Sequence, residues 1–89
     1  MQPNIQYIEN VLKEYAYGIY GHKKEFSSDE KICRKLGLCD EDLWDMIDYA
    51  LDRLDITKPT NQSPAYINIK ENDITFNNLA EWISKLASE

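Results

Sequence analysis

The sequence predicts an all-α protein, a small bundle of three to four helices forming one domain over residues 1–89. Three observations predict it. Apolar residues recur at steps of three and four in three separate blocks, within 5–19, 43–54 and 76–86, which is the period of an amphipathic helix. Each block follows a residue able to cap a helix, namely Asn4, Asp40 and Thr75. Glycine and proline fall between the blocks rather than inside them, apart from Gly18. At 89 residues the chain can bury roughly 60 to 65 % of its unfolded surface, enough for one small core and too little for a deep catalytic cavity.

Taken in order, the first block sets Ile5, Ile8, Leu12, Tyr15 and Ile19 on one stripe with Val11 beside it, about four turns ending near Gly21. Ser27-Ser28-Asp29-Glu30 reads as a capping box for a short helix that carries Ile32, Cys33 and Leu36 and stops at Gly37. The third helix opens at Asp40. Its apolar face holds Leu43, Ile47, Ala50, Leu51 and Leu54, and Asp45, Asp48, Asp52 and Asp55 lie on another face. Residues 57–64 are polar, contain two prolines and form a loop. Tyr66 to Lys70 alternates, Glu71-Asn72-Asp73 can turn and Ile74 to Phe76 alternates again, so a short β-hairpin around residues 66–76 is the one β element the pattern allows. A last helix, capped by Thr75, carries Phe76, Leu79, Ala80, Ile83 and Leu86 with Trp82 on its flank.

Charge is unevenly placed. The seventeen residues from Cys39 to Asp55 hold seven acids and one base, a net charge of −6 that equals that of the whole chain. Capping and the helix dipole account for Asp40, Glu41 and Asp42 at the start of the third helix, but Asp52 and Asp55 near its end oppose the dipole. An acidic focus steers a protein toward a basic partner. With pI near 4.7 and the cations at Lys23, Lys24, Lys31, Arg34 and Lys35 interrupted by acids, a nucleic-acid partner is not expected. No apolar run approaches the ~18 to 20 residues of a membrane span, and Met1 to Asn4 does not begin a secretion signal, so a cytoplasmic location is expected. Cys33 and Cys39, six apart, match neither a metal knuckle nor a redox pair with a two-residue gap, and both are expected to be free thiols. His22, the only histidine, has no second ligand near it, and no nucleophile, paired carboxylates or phosphate loop suggests an enzyme, a metal or a cofactor.

The order of helices, the acidic third block, the segment Leu36-Gly37-Leu38-Cys39-Asp40, the end Leu54-Asp55-Ile56 and the final Ile74-Thr75-Phe76…Trp82-Ile83 together resemble the acyl carrier protein superfamily. The resemblance covers most of the chain and implies an acyl-carrier-like bundle of three to four helices. It also places Asp40 where a carrier has the serine that takes phosphopantetheine, so no arm and no cofactor are implied. Small bacterial acyl-carrier-like proteins of unknown function, in which Leu-Gly-x-Asp-Gly-Asp-Asp replaces the serine motif, are similar to Leu36 through Asp42, although Cys39 stands where they have aspartate. Carriers dock basic surfaces through their acidic helix, so the resemblance implies partner contacts from Asp40, Glu41, Asp42, Asp45, Asp48 and Asp52, with Trp44 and Met46 as apolar contacts.

The expected function is therefore a non-catalytic, monomeric binding module for a basic protein. An alternative reading is a small acidic immunity or inhibitor protein that neutralises a basic toxin, drawn from the number of tyrosines, Tyr7, Tyr17, Tyr20, Tyr49 and Tyr66.

Overall fold

The structure, a computed structural model, describes residues 4–21, 25–57 and 70–87. Four α-helices occur among them, α1 (Ile5–Tyr20), α2 (Ile32–Leu36), α3 (Glu41–Arg53) and α4 (Phe76–Ala87), with a 3-10 turn at Glu71–Asp73. The all-α expectation holds. No strand is present among the described residues, only an isolated bridge between Lys31 and Thr75. The first arm of the expected hairpin, Tyr66 to Ile69, lies outside the described residues, and the second arm is not a strand because Phe76 already begins α4.

Helix α1 starts where Asn4 Oδ1 accepts the Tyr7 backbone N–H at 2.7 Å, and it stops at Gly21, whose φ of 90° is unfavourable to residues with a Cβ. Its buried stripe is Ile8, Val11, Leu12 and Ala16. Ile19 was expected on that stripe, but it is half exposed, because at 100° per residue the line through Ile8 and Leu12 reaches Ala16 and then passes it by. The stripe packs on both α3 and α4.

Helix α2 differs from expectation at its start. Ser27 does not cap it: the Ser27 hydroxyl instead donates to Asp29 at 2.8 Å, two residues on, and Lys31 holds the cap position without a side-chain capping bond. The start is secured from outside. Ile32 N–H donates to Ile74 O at 2.9 Å and Asn77 N–H to Ser28 O at 2.9 Å, so residues 28–32 are tied to the chain entering α4. The helix ends as expected, with Gly37 left-handed at φ 75°.

That left-handed residue has a further consequence. It folds the chain back so that the Cα atoms of Cys33 and Cys39 lie 4.7 Å apart, and the two form a disulfide. The expectation of two free thiols is thereby corrected. A six-residue spacing carries no signature of its own, and only the turn at Gly37 makes the pairing geometrically open. Loop-closure entropy gives such a short cross-link about 2 kcal/mol of stabilisation.

Both ends of α3 are closed by aspartates used for their backbone. Asp40 adopts φ 49° and ψ −117° and Asp42 N–H donates to Cys39 O at 3.0 Å, which is a type II′ turn with Asp40 at its first central position. Asp40 makes no side-chain cap hydrogen bond, so the expected capping by its carboxylate is also corrected. At the far end Asp55 is left-handed at φ 56° and Ile56 N–H donates to Leu51 O at 2.9 Å, the six-to-one bond of a Schellman motif. Asp55, left unexplained by the dipole, thus has a local reason, since aspartate tolerates that conformation better than most residues.

Helix α4 is capped reciprocally. Asn78 N–H donates to Thr75 Oγ1 at 3.1 Å and Thr75 N–H to Asn78 Oδ1 at 3.3 Å. Phe76, Leu79, Ala80 and Ile83 then enter the core, and Phe26 meets the Phe76 ring at 5.8 Å.

Two substitutions test this account by urea denaturation. Phe76→Ala removes the largest fully buried side chain among the described residues and should cost about 3 to 5 kcal/mol. Asp40→Gly should gain about 1 kcal/mol, because relief of a backbone conformation suited to glycine outweighs the loss of the carboxylate's interactions, whereas Asp40→Ala should gain nothing.

Candidate functional site

The acidic residues of α3 are positioned by its apolar ones. With Leu43, Met46, Ile47, Ala50 and Leu51 buried, the opposite side of the helix can only face solvent. Residues 41, 45, 48 and 52 follow one another at steps of four, three and four, so Glu41, Asp45, Asp48 and Asp52 form a single ridge. Glu41, Asp45 and Asp52 are exposed and Asp48 is half-buried. Asp42 is exposed one step to the side, and Asp40 is exposed in the turn before the helix. Like charges at these spacings repel by a few tenths of a kcal/mol per pair, a cost the fold does not need.

The flanks of the ridge differ from each other. On one, Tyr15 and Tyr49 place their ring centroids 5.5 Å apart. Burial pushes the Tyr15 hydroxyl upward in pKa, and the negative charges of Asp45 and Asp42 push it further. Tyr49 donates its hydroxyl to Glu14 Oε1 at 2.7 Å, and Arg53 donates to the same oxygen and to the Tyr49 hydroxyl at 3.0 Å. The bond from Tyr49 does most to hold the Glu14 carboxyl below its ordinary 4.5, with Arg53 adding to it. The same bond raises Tyr49, and Glu14 raises Arg53. Arg53, the only base of the acidic segment, is therefore engaged by a carboxylate of α1 and does not neutralise the ridge.

On the other flank Trp44 meets Trp82 of α4 edge to face, with centroids 6.1 Å apart and planes at 78°. Both indoles are half-buried. Trp44 thus borders the ridge as an apolar edge that is partly open. Met46 does not. It is fully buried among the core side chains, and its expected role as a partner contact is corrected: three residues after Leu43 and four before Ala50, it belongs to the buried stripe.

Two features had no counterpart in the sequence reading. Glu9 is 3 % exposed on α1, and its Oε1 has no hydrogen-bond partner among the described residues. A groove of about 330 Å³ lies between the end of α1 and α2, lined by Tyr20, Glu25, Phe26, Glu30, Lys35 and Leu36. Its two carboxylates, Glu25 and Glu30, outnumber its one ammonium, Lys35, and Tyr20 spends its hydroxyl on Leu36 O. The described residues hold no cluster of His, Cys, Asp and Glu able to bind a metal ion, and no helix long and apolar enough to cross a membrane.

No known family matches the chain, and comparison with curated proteins and with solved structures gives no match.

The Glu14 cluster has a pH consequence with a definite sign. A carboxyl whose folded pKa lies below its unfolded value stabilises the protein above the unfolded value, and that contribution is lost as pH falls through the folded one. Wild type should therefore lose stability as pH drops below 4.5, and Glu14→Gln should lose less over the same range. Urea midpoints at about pH 6 and about pH 3 would show the difference, and parallel curves for the two proteins would contradict the assignment.

Proposed function

We propose that the protein is a non-catalytic binding module of acyl-carrier-like type, without a phosphopantetheine arm, that docks a basic protein surface through α3. The observation that carries this reading is the ridge Glu41, Asp45, Asp48 and Asp52, flanked by Trp44 and left uncompensated by Arg53. A negative ridge beside a partly open indole combines charge steering with an apolar anchor, and Trp is favoured at the centres of interfaces. Association through it is fast and falls with ionic strength.

The carrier resemblance gains support from Asp40. It occupies a backbone conformation that glycine adopts most easily, and the similar serine-less carriers have glycine at that place in their motif. A carboxylate at the serine position cannot carry the phosphodiester of the arm, so docking is proposed without cargo.

The immunity-protein reading rested on the tyrosines, and their surroundings weaken it. Tyr17 stacks on Phe26 at 5.3 Å, Tyr20 donates to Leu36 O, and Tyr49 belongs to the Glu14 cluster. Tyr66 lies outside the described residues. Tyr7, 51 % exposed, is left as the open tyrosine among those described.

A double charge reversal tests the docking role. Asp45→Lys and Asp52→Lys change two exposed positions, whereas Asp48 is half-buried and a lysine there would disturb the fold as well as the charge. The variant should keep its helical circular dichroism and lose, by at least about tenfold, the partner that tagged wild-type protein retains at low salt. Undiminished retention by the folded variant would sink the proposal.

A further inference from the structure

The two sulfurs of the disulfide sit in unlike surroundings. Cys33, in the first turn of α2, is 7 % exposed, whereas Cys39 is half-buried on the turn that leads into α3. Exchange proceeds by attack of a thiolate on one sulfur, and access decides which sulfur is attacked. By residue exposure Cys39 is the more open of the two.

The sulfur that would leave has an acceptor waiting. Cys33 Sγ lies 3.2 Å from Asn72 Oδ1 of the 3-10 turn. Within the disulfide that sulfur has no hydrogen to donate, but as a thiol it can give its S–H to Asn72 with no change of position. The dithiol form therefore keeps α2 attached to the turn before α4 even when the cross-link is open. The backbone bonds from Ile32 to Ile74 and from Asn77 to Ser28 hold the same junction and do not depend on sulfur.

Charge then selects the attacking thiol. Asp40, Glu41 and Asp42 follow Cys39 directly and all are exposed. Of the nearby cations, Arg34 and Lys35 are exposed on α2, and Lys35 lines the same groove as Glu25 and Glu30. The chain as a whole carries −6. An anionic thiol approaches Cys39 against this field and a cationic one is drawn along it.

We propose that Cys39 is a thiol-disulfide exchange site opened by neutral or cationic thiols and disfavouring anionic ones. The thiolate forms a bond to Cys39 Sγ as the bond to Cys33 breaks. Cys33 leaves with the electron pair, takes a proton from water and donates it to Asn72 Oδ1. A second thiolate then attacks the sulfur of the first in the mixed disulfide, and Cys39 leaves with the electron pair and takes a proton from water, so that two thiols become one disulfide while the protein disulfide becomes a dithiol. Exchange at Cys39 does not require the docking role of α3, although Glu41 belongs to the ridge as well.

The experiment treats the oxidised full-length protein, at low ionic strength and equal thiolate concentration, with cysteamine, 2-mercaptoethanol or 2-mercaptoethanesulfonate. Reaction is stopped by alkylation and read by mass spectrometry, with each rate divided by that of the same thiol on the neutral 2-hydroxyethyl disulfide. Cysteamine should exceed mercaptoethanesulfonate on the order of tenfold, with 2-mercaptoethanol between them and the gap closing in about 0.5 M salt. The trapped adduct should sit on Cys39, the dithiol protein should keep its helical circular dichroism, and the gap should shrink in an Asp40→Asn, Glu41→Gln, Asp42→Asn variant. Equal normalised rates at low salt, an adduct on Cys33, an unchanged gap in the variant, or a protein that stays a dithiol under excess 2-hydroxyethyl disulfide would each overturn the proposal. Should the variant not fold, the salt series on wild type decides the same point.

Discussion

Burial of one face of α3 against α1 is the constraint on which the rest of the molecule depends. Once Leu43, Met46, Ile47, Ala50 and Leu51 are committed to the core, the helical period leaves Glu41, Asp45, Asp48 and Asp52 no other place than a solvent-facing ridge. Helix α1 serves both sides of this arrangement. Its stripe of Ile8, Val11, Leu12 and Ala16 receives α3 and α4, and its Glu14 engages Arg53, the one base of the acidic segment. Packing and electrostatics are thus two consequences of the same helix pair.

The acids of α3 divide by what they do. Asp40 and Asp55 are backbone devices, one in a type II′ turn and one in a left-handed cap, and they fix the length of the helix. Asp48 lies partly in the protein. Glu41, Asp45 and Asp52, together with Asp42 beside them, remain exposed with no structural task that the fold requires. Repulsion among them opposes folding, and the proposed docking of a basic surface would offset that cost in the complex. The disulfide adds a second level, because it joins α2 to the turn from which this ridge starts.

Much of this was legible in the sequence because it depends on local chemistry. Asn4, Gly21, Gly37 and Thr75 mark helix ends through their own side chains or the lack of one, and each does so in the structure. The three long apolar stripes follow from spacing alone. Features that depend on distant partners were not legible. Ser27 had the right neighbours for a capping box, yet Asp29 competes for its hydroxyl, and the start of α2 is fixed from α4 instead. The pairing of Cys33 with Cys39 needed the left-handed turn at Gly37, and burial of Glu9 carries no local signal at all. Met46 is a different case: its spacing, three residues after Leu43 and four before Ala50, fits the buried stripe, but the stripe as read left it out and the analogy with docking helices set it outside.

Backbone amide shifts followed during a titration with the basic protein retained at low salt test the central claim most directly. The account predicts perturbations confined to Asp40 through Asp52 and to the indole N–H of Trp44, with α1 residues such as Tyr7 and Ile19 unmoved. Perturbations centred on Tyr7 and Ile19, with the α3 ridge silent, would contradict it.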